Sequence, residues 1–155
     1  MNSHAYETTI DWTGNRGPGT RDYRSYDRSY SVAAPGKETF AGSADPAFLG
    51  AADLYNPEEL LVAAVSACHM LWYLHLCAVN KVVVIAYRDR ATATMTLGAD
   101  GIGAIDAATL NPMVTIGSGD AGMARRLHDE AHTKCFIARS VKFPIECRPT
   151  ILTDA

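Results

Sequence analysis

Hydrophobic residues run almost unbroken from Leu60 to Cys77, with no formally charged side chain among them when His69 and His75 are neutral. A segment apolar nearly all round predicts a helix buried on most sides. Its start is marked. Asn56 can accept from free backbone N–H groups, Pro57 suits the first helical position, and Glu59 completes a box-like cap. Glu58 and Glu59 also sit at the positive end of the helix dipole. Ser66, His69 and His75 make the segment too polar, and its length too short, for the spanning helix of a bilayer. The reading is therefore a central helix in a soluble domain, with Cys68 halfway along it.

Upstream, Tyr6, Thr8, Ile10 and Trp12 alternate with polar residues, predicting a half-buried strand. Gly14 and Gly17-Pro18-Gly19 predict a turn. Tyr23–Val32 reads as an aromatic-rich strand, with Arg21, Arg24 and Arg28 assigned to it, and 33–55 as a long loop of the kind that usually serves function. Downstream, Val82–Leu97 reads as one long strand, 98–103 as a turn, and Ala104–Ile116 as a strand bent or edged at Pro112. Asp120 can cap a second helix through Lys134, with Met123, Leu127, Ala131 and Cys135 on one stripe. Val141, Phe143, Ile145 and Cys147 alternate in a last strand. Strand runs around two helices predict an α+β fold.

Composition narrows the classes. A chain of 155 residues, 48% hydrophobic and 20% charged, fits one domain over 1–155. A net charge of −3 gives no electrostatic case for nucleic acid or a membrane surface as partner. No secretory signal is visible in Met1-Asn2-Ser3-His4-Ala5, so the expected compartment is the cytoplasm. Four cysteines without a CxxC pair fit neither a disulfide framework nor a structural zinc site.

Helical geometry sorts the thiols. Cys68 and Cys77 are nine residues apart, about 900° of rotation, and so face opposite sides of the helix. Cys77 reads as a small core residue, and so does Cys147 on the apolar face of the last strand. Cys135 ends the stripe of the second helix and would meet Cys68 only if that stripe packs on the central helix. Spacing alone leaves both as ordinary buried cysteines. His69 diverges from Cys68 by about 100° and is badly placed to be its base. His69 and His75 lie about 120° out of phase, with no carboxylate on the helix to complete a metal site. His128 and His132, at i and i+4, read as an exposed polar face rather than ligands.

Asn56-Pro57-Glu58-Glu59-Leu60, followed by Ser66-Ala67-Cys68, resembles the motif of the OsmC/Ohr superfamily of osmotically inducible and organic hydroperoxide resistance proteins. A second match is Ala131-His132-Thr133-Lys134-Cys135-Phe136, followed by Ser140-Val141-Lys142-Phe143-Pro144. The resemblance covers nearly the whole chain. It implies the OsmC-like fold, with antiparallel sheets around a long buried helix, in an intertwined homodimer. It also implies a thiol-dependent peroxidase needing no bound cofactor or metal. Cys68 would be the peroxidatic cysteine, Cys135 the resolving one and Glu58 the family's glutamate. Arg24, with Arg21 next, would be its arginine. The reductant implied is an external dithiol, such as a protein-bound lipoyl group.

The residue types suit that chemistry. A guanidinium favours the thiolate and can hold peroxide oxygens, and a carboxylate orients it through paired hydrogen bonds. Glu58 precedes Cys68 by ten residues, about 15 Å along a helix, so it is expected to serve the partner subunit's cysteine. Leu61, Ala64, Met70, Leu71 and Trp72 are expected to form an apolar pocket that favours organic hydroperoxides over hydrogen peroxide. The alternative is a stress-induced dimeric binding or structural protein of the same fold without peroxidase turnover. A thiol hydrolase would lack a base at usable helical spacing.

Overall fold

The computed structural model describes residues 3–154; Met1 and Asn2 of the N-terminal segment, and Ala155, lie outside them. The chain forms two compact units, Met1–Leu60 and Leu61–Ala155.

The first unit is an antiparallel sheet in the order β1 (Thr9–Trp12), β2 (Tyr30–Ala33), β3 (Phe40–Gly42). Ile10 lies opposite Val32, which lies opposite Phe40. Two expectations change here. All four residues of β1 are exposed rather than half-buried. The strand expected from Tyr23 begins only at Tyr30, because Asp22 draws residues 22–25 into a turn. Its Oδ1 accepts from Arg24 N (2.9 Å) and its carbonyl from Ser25 N (3.2 Å). The aromatics instead stack on a cation, with the Arg28 guanidinium 4.4 Å from the Tyr23 ring centre and 4.2 Å from that of Tyr26. The segment read as a long loop contains β3 and a 3-10 turn, Pro46–Phe48, capped by Asp45. Gly50 closes that turn where a Cβ would lie 1.6 Å from the Ala44 carbonyl oxygen, so no other residue fits.

Helix α1 runs Pro57–Val79, and its predicted cap is present. Asn56 Oδ1 accepts from Glu59 N at 2.8 Å, and Asn56 N donates to Glu59 Oε2 at 3.1 Å. Only one stripe of α1 is buried, namely Val65, His69, Tyr73, Leu76 and Cys77. Leu71 is 63% and Val79 61% exposed, against the expectation of burial on most sides. At 23 residues α1 is also long and apolar enough to cross a membrane by length and composition, which overturns the expectation that it is too short. Its polar residues are nonetheless bonded within the protein, Ser66 to Asp89 and His69 to His128.

The second unit holds two more sheets. One orders β4 (Val83–Asp89), β7 (Pro112–Ser118), β9 (Thr150–Thr153), and the other β5 (Thr92–Leu97), β6 (Gly103–Leu110), β8 (Ile145–Cys147). The first pair in each is antiparallel and the second parallel. Each of the two long predicted strands is thus two strands in different sheets. The chain changes sheet at Arg90–Ala91 and again at Asn111, and one carboxylate ties the corners together. Asp89 Oδ1 accepts from Asn111 N at 2.7 Å, and Asn111 Nδ2 donates to Arg90 O at 3.1 Å. Pro112 opens β7 opposite Asp89, a strand end where no ladder donor is required. Helix α2 (Ala121–Lys134) is capped by Asp120, whose Oδ1 accepts from Met123 N at 2.5 Å. Its stripe packs with α1, β4 and β7 around Tyr73, Leu76, Cys77, Val82, Val114, Ile116, Ala124, Leu127 and Ala131.

Candidate active site

Cys68 is held by the middle of α1, in a stretch whose apolar residues on either side leave the helix uninterrupted. Two residues earlier, Ser66 Oγ donates to Asp89 Oδ2 at 2.6 Å, pinning this turn of the helix to the sheet corner. Cys135 ends α2 in extended backbone, its side chain fully buried. The structure brings these two thiols together: Cys68 lies near enough to Cys135 to help raise its thiol, after burial. Both are free thiols, and Cys68 is the more accessible. Burial pushes the Cys135 thiol up, partly offset by donation from Ala138 N to its Sγ at 3.4 Å. Burial thus keeps the Cys135 thiol in its protonated form near pH 7.

Of the apolar side chains expected around Cys68, Leu61, Ala64, Leu71 and Trp72 share its face of α1, whereas Met70, two residues on, is turned about 200° away. Leu61 and Leu71 are open to solvent at 36% and 63%, whereas Ala64 and Trp72 are half-buried. Trp72 meets the ring of Phe136, directly after Cys135, edge-on with centroids 5.5 Å apart. Lys134 Nζ lies 5.7 Å above its ring centre. Phe136 and Lys134, the neighbours of Cys135 in the chain, therefore both meet Trp72, which the sequence reading missed. The signal was available in their adjacency to Cys135.

Arg21, Arg24 and Glu58 belong to the first unit. Arg21 is exposed in the turn before Asp22, and the Arg24 carbonyl accepts from the Arg16 guanidinium. Burial raises the Tyr30 phenol, and Glu58, on the first turn of α1, raises it further.

One histidine reading and one cysteine reading are corrected. His128 is 1% exposed rather than part of a polar face, because it continues the buried stripe Ala124, Leu127, Ala131. That i, i+3, i+4, i+7 spacing was visible in the sequence. Its Nδ1 lies 3.0 Å from Nε2 of the equally buried His69. Burial lowers both imidazoles, to about 4 for His69 and about 3 for His128, so both are neutral near pH 7. Cys147 is half-buried beside this pair, rather than among purely apolar neighbours. Cys77, at 1% exposure, is the core residue it was expected to be.

Residues 50–149 match the OsmC-like protein family. The chain belongs to that family. An OsmC-like protein of unknown function from Vibrio cholerae is 25% identical, with a TM-score of 0.86 over 96% of this chain and 100% of that one. An organic hydroperoxide resistance protein from Elizabethkingia anophelis, with thiocyanate bound, is 19% identical, with a TM-score of 0.69 over 99% of each chain. A putative organic hydroperoxide resistance protein from Vibrio cholerae, with captopril in one active site, is 20% identical. Its TM-score is 0.64 over 96% of this chain and 93% of that one. No curated protein matches the chain. The α+β, OsmC-like fold expected from the two cysteine motifs is thus the fold of this protein.

Proposed function

We propose that this OsmC-family chain is a cysteine-based peroxidase that reduces organic hydroperoxides to alcohols. The observation that carries the reading is the contact between Cys68 and Cys135, one partly accessible and the other buried. The Cys68 thiolate attacks the peroxide O–O bond, the alkoxide leaves and takes up a proton as the alcohol, and Cys68 becomes a sulfenic acid. The Cys135 thiol then displaces hydroxide from that sulfur, releasing water and forming a Cys68–Cys135 disulfide. A dithiol in the cytoplasm, such as a protein-bound lipoyl group, returns the pair to thiols by exchange. In this reading Arg24, with Arg21 as the second candidate, stabilises the thiolate, and Glu58 orients that arginine.

The working unit is proposed to be a homodimer, in which Glu58 serves the cysteine of the partner subunit, as the ten-residue spacing along α1 requires. The exposed Leu61 and Leu71 beside Cys68 are then covered by the second copy and by the alkyl part of the substrate. Peroxide consumption in the presence of dihydrolipoamide tests the proposal. Cumene hydroperoxide is expected to give a higher kcat/KM than hydrogen peroxide, since each buried CH₂ contributes about 0.8 kcal/mol. Hydrogen peroxide turned over faster, or a stable and active monomer in solution, would refute these assignments.

A further inference from the structure

Beneath α1, on the core side rather than the Cys68 side, three ligand-bearing side chains converge from three elements. His69 comes from α1, His128 from α2 and Cys147 from the end of β8. His69 Nε2, His128 Nδ1 and Cys147 Sγ are 3.0, 3.7 and 3.9 Å apart, and the circle through three points so spaced has a radius of about 2.1 Å. Zinc binds imidazole nitrogen at about 2.0–2.1 Å and thiolate sulfur at about 2.3 Å. Around a tetrahedral zinc, two such nitrogens would stand about 3.3 Å apart and each about 3.6 Å from the sulfur. The three atoms are within a few tenths of an ångström of those separations.

A histidine kept only for core packing normally has both ring nitrogens bonded. Here the outer nitrogens, His69 Nδ1 and His128 Nε2, are buried and have no hydrogen-bond partner among the described residues. The rings face each other edge to edge, 8° from parallel, and share one proton between Nε2 and Nδ1. In either tautomer that leaves one idle acceptor and one unpaired N–H, which burial makes costly. The arrangement is an expensive way to fill a core and an economical way to hold a cation.

We propose that His69, His128 and Cys147 form a binding site for a borderline divalent metal ion, zinc(II) foremost. Two imidazoles and one thiolate are the donor set for such an ion, and three protein ligands leave a fourth position for water. On binding, the proton shared by the rings moves to the idle outer nitrogen of the ring that held it. The Cys147 S–H bond breaks, its proton leaves to solvent, and the sulfur bonds the ion; no electrons are transferred. The rings are already neutral and so present lone pairs rather than charge. Asp89 and Asp129 place negative potential at His69 and Cys147, while Arg125 and His132 oppose the cation. Cys147 is the one ligand of the three that reaches the surface, so the ion enters past it. Zinc has no redox chemistry. The ion would tie α1, α2 and β8 together without touching the peroxide reaction, and this site stands whether or not that reaction occurs.

Cobalt(II) titration of the full chain tests the site. One equivalent is expected to give visible tetrahedral bands and a near-ultraviolet thiolate-to-cobalt band. Cys147→Ser should abolish the near-ultraviolet band. A Cys68→Ser, Cys135→Ser double variant should keep it. If Cys147→Ser does not fold, one equivalent of zinc on the unaltered chain is expected to slow iodoacetamide labelling of Cys147 at least tenfold. Absence of the charge-transfer band, its survival in Cys147→Ser, its loss in the double variant, or unchanged labelling of Cys147 would each overturn the proposal.

Discussion

Asp89 offers the sharpest test of how the fold holds the helix that carries Cys68. Its two oxygens accept from Ser66 Oγ at 2.6 Å and from Asn111 N at 2.7 Å, joining α1 to the place where both strand pairs change sheet. Asp89→Ala removes both acceptors at once and leaves the Asn111 N–H and the Ser66 hydroxyl partly buried without partners. Hydrogen bonds to a charged group contribute about 1.5–3 kcal/mol each, and partial exposure of this pair discounts that. The expected loss is about 2–4 kcal/mol, or a fall of about 6–12 °C in Tm for a chain of this size. Asp89→Asn is expected to lose only about 1 kcal/mol. Its Oδ1 still accepts from Asn111 N, and its amide can donate to Ser66 Oγ once that hydroxyl turns. Urea or thermal unfolding at one fixed protein concentration measures the effect, because association would otherwise shift it. A Ser66→Ala cycle isolates the 2.6 Å bond. Asp89→Ala within about 0.5 kcal/mol of the unaltered chain would refute the reasoning.

Three further outcomes are expected. Asn56→Ala removes the Oδ1 that accepts from Glu59 N, leaves its own backbone N–H to donate to Glu59, and should cost about 1 kcal/mol, with Asn56→Asp or Asn56→Ser restoring most of it; equal stability of the three variants would contradict the cap. Tyr87 has a buried hydroxyl without a hydrogen-bond partner among the described residues, so Tyr87→Phe should be neutral or stabilising near pH 7. Burial, and next Asp89, raise that phenol. Its folded form therefore favours the proton, and stability present below pH 10 is lost as pH climbs from the unfolded value through the folded one. Urea midpoints from pH 8 to 11 should consequently fall more steeply for the unaltered chain than for Tyr87→Phe. Finally, Arg24→Ala should slow peroxide turnover by about 10²–10³-fold without loss of folding, and an effect confined to Arg21→Ala would move the role there.

What was legible in the sequence is what local chemistry decides. The Asn56–Glu59 box, the Asp120 cap and the stripe Met123, Leu127, Ala131, Cys135 all formed as the spacing required. The family motifs likewise led to the right fold. What was hidden depends on partners distant in the chain. Val82–Leu97 and Ala104–Ile116 look like continuous strands, because nothing in their alternation marks the point where Asp89 and Asn111 exchange one sheet for another. Tyr23–Val32 has strand propensity, yet the Asp22 turn and the stacking on Arg28 override it. His128 was misplaced because its flanking Asp129 and Glu130 suggest solvent, while its own position belongs to the apolar stripe. The exposure of Leu71 on a helix that reads as core belongs with the proposed second copy.

The most direct test of the peroxidase reading is the intact mass and thiol count of the reduced protein before and after one equivalent of cumene hydroperoxide. The account predicts the loss of two thiols and two hydrogens, a Cys68–Cys135 linkage on peptide mapping, and neither change in Cys68→Ser. Four free thiols with the peroxide still present would contradict it.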